Sequence, residues 1–504
     1  MHTIVVGAGS AGAVIAARLT ESGEHEVSLV EAGPDYPVVA ELPADLRDGR
    51  KNSVTAHDWG YRYRPSAKQK TWGFPRGRVV GGSSAVNTCI ALRGHPYDYD
   101  EWQALGLDGW SFTDCLPAFK RLEHDLDFDN EWHGASGPLP LRRHPESELS
   151  TWSAAFVEAS RRLGYPETVD HNDPELPSGV GPHAMNKMGG ERISVARAYL
   201  GPEVRKRRGL SISANTFARR IVFEGRRFRG LEVERDGEVR LLTADRLVVS
   251  MGALATPGLL LRSGVGPRAE LARLGVELVV DSPSVGAKLL DHPGIGMLLA
   301  PRGGIVDRSD PLLQVMLRCS TPGAHHPFDL QIQPGNWAQI LELEAPVVAL
   351  LASLGKPRGH GLLRFPSADP RARPIVESRL LDDASDRRAL LDAFARLYEL
   401  ARTPELAALS VPLFPPPWIL RRRDRMEGFL HQVTGSGYHP SGTVPMSAEK
   451  IEHGALDARC RLRGVEGVHV ADASVFPTIP SANTNLATIM IGERVGAWLR
   501  DGDG

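Results

Sequence analysis

Residues 4–12 read IVVGAGSAG and decide the fold of the first part of the chain. The β-branched run before the glycines is typical of a buried parallel strand. An Ala-rich segment follows up to Leu19 and predicts a helix packed on a sheet. Residues Glu26 to Val30 predict a second strand, which ends in Glu31. This order of strand, glycine turn, helix and strand predicts a unit that binds a dinucleotide.

The three glycines of this stretch have different expected roles. Gly7 permits the tight turn, Gly9 lets the backbone approach a pyrophosphate, and Gly12 lets the helix pack closely on the strand. The start of the helix offers unpaired N–H groups and a positive dipole end to the phosphates. Glu31 lies about 20 residues further on, where a carboxylate accepts hydrogen bonds from an adenosine ribose. The predicted contacts, which suit FAD and NAD equally, are Gly7, Gly9, Ser10, Ala11, Gly12, Glu31 and Ala32.

Length and composition argue against several classes of protein. The chain has 504 residues, which indicates two or three domains. Its 59 Lys and Arg residues nearly cancel its 61 Asp and Glu residues, which argues against nucleic acid as a partner. The four cysteines form no C-x-x-C pair, so the sequence predicts neither a zinc cluster nor a disulfide scaffold, and no metal is expected.

The sequence shows no sign of export or membrane insertion. No apolar run approaches the roughly 18 residues that a transmembrane helix needs. The short segment before the first strand leaves no room for a signal peptide. We therefore expect a cytoplasmic protein without a transmembrane segment, and the sequence leaves its oligomeric state open.

Four further motifs follow the first one along the chain. The first is a loop of small residues at 76–87 (RGRVVGGSSAVN), and the second is a glycine-rich segment at 252–266 that follows an apolar strand. The third is the run YHPSGT at 438–443. The fourth is a strand from 468 that ends in the acid at 472 and is followed by a helix that begins at 483–485. In the second of these, Thr256 is the expected N-cap of a helix, with Pro257 at its first position. Taken in order, the five motifs resemble the glucose–methanol–choline (GMC) oxidoreductase family from Ile4 to about Leu499.

The resemblance implies an α/β (α+β) fold, FAD as the cofactor and an alcohol as the small-molecule substrate. The fold would combine a Rossmann-like FAD-binding domain with a discontinuous substrate-binding domain. Some relatives attach FAD through a histidine one residue before the Asn of the glycine-serine loop. This chain has Val86 there, so a non-covalent FAD is predicted. The further FAD contacts that the resemblance implies are Val80, Gly81 and Asn87 beside the flavin ring, Ala218 at the adenine, Asp472 and Ala473 at the second FAD contact, and Asn483 and Thr484 at the start of the last helix.

Two side chains are the predicted catalytic residues. By the resemblance, His439 matches the catalytic base, and a histidine suits proton removal near neutral pH. Asn483 matches the second active-site position and can donate an amide N–H to a developing alkoxide. The expected reaction converts a primary alcohol to the aldehyde with hydride transfer to the flavin N5. Tyr438 would form an aromatic wall that favours an aromatic or heteroaromatic alcohol.

Three questions about the reaction stay open at this point. The electron acceptor is dioxygen or another redox carrier. A lyase of the same fold, which would hold FAD without net redox chemistry, is an alternative to the oxidoreductase. A nicotinamide-dependent dehydrogenase is a weaker alternative, because the motifs after residue 76 favour FAD.

The resemblance also predicts how the chain divides. The FAD-binding domain is expected to comprise residues 1–150, 190–298 and 436–504. The substrate-binding domain is expected to comprise residues 151–189 and 299–435, with a mostly antiparallel sheet and its clearest helix at 382–402. Gln331 and Gln333 point to the same face of an extended segment there, and we expect them to line the substrate pocket. Residues 40–75 are a candidate lid over the cofactor.

Several other conspicuous residues are expected to be structural. Asp291-His292 looks like a catalytic dyad, but the resemblance favours a structural role. Trp132-His133 and His325-His326 have no neighbours in sequence that could share a metal, so they are interpreted as loop histidines. The run Arg421–Arg425 is interpreted as the solvated start of a helix.

Overall fold

The computed structural model describes residues 1–176, 178–340, 343–449 and 454–502. Its strands are β1 (His2–Val6), β2 (Glu26–Val30), β3 (Tyr61–Arg64), β4 (Trp72–Phe74), β5 (Glu123–Asp125), β6 (Leu139–Leu141), β7 (Val180–Pro182), β8 (Lys187–Met188), β9 (Glu191–Arg192), β10 (Leu210–Ser213), β11 (Phe217–Glu224), β12 (Arg227–Arg235), β13 (Glu238–Leu242), β14 (Arg246–Val249), β15 (Val265–Gly266), β16 (Val280–Asp281), β17 (Pro293–Pro301), β18 (Val315–Cys319), β19 (Leu330–Gly335), β20 (Ala338–Ile340), β21 (Leu343–Ala345), β22 (Val348–Leu354), β23 (Leu362–Arg364), β24 (Ile375–Glu377), β25 (Ser410–Phe414), β26 (Thr434–Ser436) and β27 (Val468–Val470).

The α-helices are α1 (Gly12–Leu19), α2 (Ala44–Arg47), α3 (Pro96–Ala104), α4 (Phe112–Leu122), α5 (Thr151–Arg162), α6 (Val195–Tyr199), α7 (Pro202–Arg205), α8 (Thr256–Arg262), α9 (Arg268–Leu274), α10 (Ala384–Ala401), α11 (Pro404–Leu409), α12 (Pro417–Leu420), α13 (Arg423–Val433) and α14 (Thr484–Asp501). Within the described residues, no helix is long and apolar enough to cross a membrane.

The first core is built on a five-stranded parallel sheet in the order β10-β2-β1-β14-β27. Strand β14 is buried along its whole length, as expected for a strand covered on both faces. Helices α1 and α14 pack against each other beside this sheet. Strand β1, helix α1 and strand β2 therefore form the βαβ unit that the opening motif predicts.

Strands β11, β12 and β13 form a separate antiparallel sheet with meander connections. The turn at Asp236-Gly237 between β12 and β13 has positive φ at both residues. Strands β10 and β14, which flank the meander in sequence, belong to the parallel sheet: β14 is buried and Leu210 and Ile212 of β10 pack on the first core, whereas most of β13 is exposed to solvent.

The second core is built on a mostly antiparallel sheet in the order β25-β17-β22-β19-β18-β7, and β26 also pairs with β17. Helix α10 packs its apolar stripe on this sheet, with Leu390, Phe394 and Leu397 buried. The carboxylate of Asp383 caps the helix by accepting the N–H groups of Ser385 and Asp386. This helix lies where the spacing predicts one.

Each of the two buried cores is built from several separate segments of the chain. The first draws residues from 4–141, 195–289 and 444–499, and the second draws residues from 152–180, 295–354 and 381–430. Leu363, Phe365 and Val376 join the first core, because β24 pairs in parallel with β3.

Strand β17 brings the two parts of the chain together at the candidate site. Its first residues pair with β26, with Pro293 opposite Ser436 and Ile295 opposite Thr434. The backbone N–H of Gly437 then donates to the carbonyl of His292 at 2.7 Å. This register places the residue just before β17 beside the segment that carries His439.

Candidate active site

A cavity of about 260 Å³ is lined by residues from all five sequence motifs. Glu31 and Ala218 line it near the carboxyl end of β2, and His439 lines it where β26 leads into the fourth motif. The predicted site residues that line it are Gly7, Gly9, Ser10, Ala11, Glu31, Ala32, Asn87, Ala218, Tyr438, His439, Asp472, Ala473, Asn483 and Thr484. The predicted residues Gly12, Val80, Gly81, Gln331 and Gln333 do not line it.

The glycine turn leaves space for a ligand at one position only. A Cβ on Gly7, whose φ is +94°, would lie 2.3 Å from the carbonyl oxygen of Ser250. A Cβ on Gly12 would lie 1.9 Å from the carbonyl oxygen of Gly7, so this glycine serves the packing of α1. A Cβ on Gly9 would meet nothing closer than the Cα of Gly82 at 3.8 Å. The open backbone at Gly9 therefore suits a pyrophosphate, as the motif predicts.

The carboxylate of Glu31 is buried at the end of β2. Its Oε2 accepts the N–H of Ala8 at 3.0 Å, and its Oε1 accepts the N–H of Gly33 at 2.8 Å. Burial raises the pKa of Glu31 to about 7 in spite of these hydrogen bonds. Each oxygen keeps acceptor capacity for a hydroxyl group, which is the chemistry that an adenosine ribose needs.

Two polar atoms of residues that line the cavity have no hydrogen-bond partner among the described residues. They are the Oδ1 atom of Asn483 and the Nδ2 atom of Asn485, and both are buried. The hydroxyl of Ser10 donates to Oδ1 of Asn485 at 2.7 Å and ties the start of α14 to the glycine turn. Because buried polar atoms are nearly always hydrogen-bonded, these two indicate a polar ligand here. The residues present fit FAD, with the N-terminus of α14 as an additional site of positive potential.

Asp472 shapes the wall of the cavity through its hydrogen bonds. Its Oδ2 accepts the N–H of Gly252 at 2.8 Å and the hydroxyl of Thr256 at 2.6 Å, and its Oδ1 accepts the N–H of Ser474 at 2.7 Å. Thr256 is therefore not the N-cap of α8 that the sequence predicts. It is the first helical residue, Ala255 is the cap, and the Thr256 side chain is committed to Asp472.

The two predicted catalytic side chains are in contact. The Nδ2 atom of Asn483 lies 3.1 Å from Nε2 of His439. Removal from water lowers the pKa of His439 well below its ordinary value, and the nearby Arg76 adds to that shift. His439 is therefore a neutral imidazole at neutral pH, the state that a general base needs.

Tyr438 lies beside this pair in a left-handed backbone conformation, with φ of +63° and 39% of its surface exposed. The guanidinium of Arg76 donates to the carbonyl oxygen of Tyr438 at 2.7 Å and also lines the cavity. An aromatic ring and a guanidinium group thus flank the imidazole at this end of the cavity.

The environment of Asp291 and His292 is not evident from the sequence. Nδ1 of His292 lies 2.9 Å from Nδ1 of His439, although the two residues are 147 positions apart. Oδ1 of Asp291 accepts the backbone N–H of His439 at 3.0 Å and that of His292 at 2.9 Å. The acid-histidine spacing is visible in the sequence, but the pairing of β17 with β26 that creates the contact is not.

The expected pocket role of Gln331 and Gln333 is not supported. The amide of Gln331 donates to the carbonyl oxygen of Ser481 at 2.7 Å, behind the loop that carries Asn483. Gln333 lies beside the buried His183 instead. Both amides face the same side of β19, as the alternation predicts, but that side does not face the cavity.

His133 is buried in a cluster of charges, and the interpretation as a lone loop histidine is wrong in that respect. Its Nδ1 lies 2.9 Å from Asp125 and its Nε2 lies 2.9 Å from Asp170. Glu123, Asp125 and His133 have the ligand types and spacing of a metal site. However, Arg93 pairs with Glu123 and Arg143 pairs with Asp125 and Asp170, so these two guanidinium groups and protonated His133 together balance the three carboxylates.

Comparison with known proteins supports the resemblance on which these assignments rest. Two models of the GMC oxidoreductase family match residues 1–294 and residues 357–492. The chain is 33% identical to a 5-(hydroxymethyl)furfural oxidase of a Methylovorus species, over 98% of this chain and 97% of that one. It is 31% identical to an oxygen-dependent choline dehydrogenase of Photobacterium profundum, over 97% of this chain and 91% of that one.

Solved structures agree with the family matches. The crystal structure of a pyridoxine 4-oxidase from Mesorbium loti superimposes with a TM-score of 0.91 at 30% identity and covers 98% of both chains. These matches confirm the predicted fold class and the predicted family. The chain belongs to the GMC oxidoreductase family and is an FAD-dependent oxidoreductase that acts on alcohols.

Proposed function

We propose that the protein oxidises a primary alcohol to the aldehyde, with His439 as the base and Asn483 as its hydrogen-bonding partner. The observation that carries this proposal is the 3.1 Å contact between Nε2 of His439 and Nδ2 of Asn483 at one end of the cavity. An alcohol oxygen placed beside both nitrogens would meet one proton acceptor and one donor.

The two side chains divide the work on the alcohol oxygen. The lone pair on Nε2 of His439 removes the hydroxyl proton, and the imidazole is available for this because its pKa is lowered. The amide N–H of Asn483 stabilises the negative charge that develops on the oxygen. FAD, when bound, supplies the acceptor for the hydride at N5.

FAD is proposed to be held without a covalent bond. Val86 lines the cavity at the position where some relatives have a histidine linked to FAD, and its side chain has no nucleophilic atom. Release of all yellow colour into the supernatant after acid precipitation is the expected result. Colour that stays with the precipitated protein would contradict this part of the proposal.

The proposed substrate is an aromatic or heteroaromatic alcohol, and the proposed electron acceptor is dioxygen. Tyr438 offers an aromatic surface beside His439. A relative named for a furan alcohol and one named for pyridoxine, a pyridine alcohol, support the choice of a heteroaromatic ring. Both are named oxidases, which supports dioxygen as the acceptor.

Two features of the protein beyond the site belong to the same proposal. The FAD-binding domain would take residues 1–150, 190–298 and 436–504, and the substrate-binding domain the rest. The separate buried cores support this division, apart from residues 363–376, which pack with the first core. A cytoplasmic location is the second feature, and the four isolated cysteines support it.

Anaerobic mixing with a panel of alcohols tests the proposal. A matching alcohol should bleach the flavin absorbance of the wild-type protein, and admission of oxygen should restore it. His439→Ala should keep its FAD but lose at least about 100-fold in the rate constant of bleaching. A holoprotein that no alcohol bleaches would point to the lyase alternative, and a His439→Ala variant that bleaches normally would remove His439 from the reaction.

A further inference from the structure

The contact between the two imidazoles fixes where their protons lie. Nε2 of His292 lies 3.0 Å from the carbonyl oxygen of Pro480. A carbonyl oxygen only accepts hydrogen bonds, so Nε2 of His292 must carry a proton. His292 is fully buried and its pKa is lowered to about 4 by that burial, so the ring holds this one proton at neutral pH. Nδ1 of His292 is then an acceptor.

The same reasoning extends to His439. Its Nδ1 lies 2.9 Å from the acceptor Nδ1 of His292, so Nδ1 of His439 must donate. The neutral ring then has no proton on Nε2, which faces Asn483 and the cavity. With its amide nitrogen turned to the ring, Asn483 donates to that lone pair. The opposite tautomer would bring two lone pairs together at 2.9 Å.

We propose that His292 is a positioning residue that holds His439 in the tautomer with its lone pair at Nε2, aimed at the alcohol. This inference rests on the proposed function, in which His439 is the base. The chain of donors runs from His439 through His292 to the carbonyl of Pro480. The resemblance favours a structural role for Asp291-His292, and in this proposal His292 also positions the base.

The chain of donors also limits the path of the abstracted proton. After His439 accepts a proton at Nε2, its other ring nitrogen, Nδ1, contacts His292 in this hydrogen-bonded series. His292 cannot pass a proton onward, because its second nitrogen already donates to a carbonyl oxygen. The proton therefore leaves from Nε2, on the side of the cavity.

The charged groups around the two rings are compatible with neutral imidazoles. Arg76 faces His439 from the loop after β4, and the carboxylate of Asp291 is occupied by backbone N–H groups and by the hydroxyl of Ser436. Asp98 and Lys356 lie on the far side of His292, where their charges oppose each other. No carboxylate among the described residues hydrogen-bonds either imidazole ring.

Three variants test the role of His292 through anaerobic bleaching by a reactive alcohol. His292→Leu removes the acceptor and should slow bleaching about 100-fold, with FAD still bound. His292→Asn places an amide oxygen close to the former Nδ1 and should recover to within about tenfold of the wild type. His469→Leu removes another buried imidazole, whose nitrogens have no partner in the described structure, and should bleach normally.

The pH profile separates positioning from a general loss of packing. In His292→Leu, Nδ1 of His439 loses its hydrogen-bond acceptor. That hydrogen bond stabilises the imidazolium form of His439 more than the neutral form, so its loss should lower the apparent pKa of the base. Unchanged rate and profile in a holoprotein His292→Leu would overturn the inference, as would a His292→Asn variant that is equally slow. If His292→Leu does not fold, a holoprotein His292→Asn slowed more than 100-fold is sufficient to overturn it. Normal bleaching in His439→Ala would instead overturn the proposed function itself.

Discussion

The backbone N–H of His439 donates to Oδ1 of Asp291 at 3.0 Å, so one buried carboxylate holds the main chain of the proposed base. The same oxygen accepts the N–H of His292, and the other oxygen accepts the hydroxyl of Ser436. A single side chain therefore fixes the backbone on both sides of the contact between the imidazoles.

Replacement of Asp291 by Asn should slow the reaction more than it affects FAD binding. The Asn amide can satisfy the backbone donors with one oxygen, but its NH₂ group faces the Ser436 hydroxyl and the local charge is lost. We expect flavin bleaching to fall about 10- to 100-fold at an unchanged FAD content. Ser436→Ala, which leaves both backbone donors satisfied, is the matched control and should fall by less than tenfold. Equal effects in the two variants would contradict this role of Asp291.

Asn483→Ala should lose the donor to the alcohol oxygen without losing the base. Removal of one hydrogen-bond donor to a developing oxyanion costs about 100- to 1000-fold in rate where it has been tested. We expect a loss of that size in the limiting rate constant of bleaching and a small change in the alcohol concentration needed for half saturation. Asn485 lies two positions further on and does not contact His439. The variant Asn485→Ala therefore provides a comparison for general effects on α14.

Binding of FAD to the apoprotein should weaken at acid pH because of Glu31. Its pKa is raised to about 7 in the protein without ligand, and only the ionised carboxylate accepts two hydroxyl groups without donating. The affinity should therefore fall as the pH drops below about 7. Titration of apoprotein with FAD between pH 5.5 and 8 measures this dependence, and Glu31→Gln should bind weakly with a flat profile. A wild-type affinity that does not change over this range would contradict the assignment.

Stability should decline at alkaline pH through His133. Its carboxylate partners raise the pKa of His133 to about 10, above the ordinary value of 6.5. Because the pKa is raised by folding, protonated His133 contributes its full stabilisation below pH 6.5, and this stabilisation is lost as the pH rises towards 10. His133→Leu should destabilise the protein by about 3–5 kcal/mol at pH 7, because it leaves three buried carboxylates facing only two guanidinium groups. Thermal unfolding at pH 7 and pH 9.5 should show a smaller drop for the variant than for the wild type.

Activity should persist well into the acid range if FAD stays bound. The pKa of His439 lies well below its ordinary value, so the neutral base is the main form even near pH 6. The limiting rate constant of bleaching, measured with saturating alcohol, should be level from pH 8 to pH 6. A decline centred near pH 6.5 would show that the imidazole titrates normally in the complex.

Local patterns account for what the sequence predicts well. The apolar run, the glycine spacing and the terminal acid near Glu31 act over about 30 residues, and the βαβ unit matches the prediction, with β2 at the expected bounds. The helical stripe of α10 is equally local. The assignment of His439 and Asn483 comes from the family resemblance, and the structure places the two side chains in contact.

Long-range pairing accounts for what the sequence does not predict. Period-two alternation puts Gln331 and Gln333 on one face of β19, but it does not tell which face meets the cavity. Thr256 has the residue type of an N-cap, yet it is used by Asp472, more than 200 positions away. His292 acquires its contact with His439 only through the register of β17 and β26.

That register has a consequence for how such enzymes diversify. Side chains that line the cavity outside this pairing could change to suit new alcohols while the anchoring of the base stays intact. A slip of one residue between β17 and β26 would reverse the faces of the pairing and separate the two imidazoles. Directed evolution towards bulkier alcohols should therefore accept substitutions in the cavity lining but reject insertions and deletions where β17 pairs with β26.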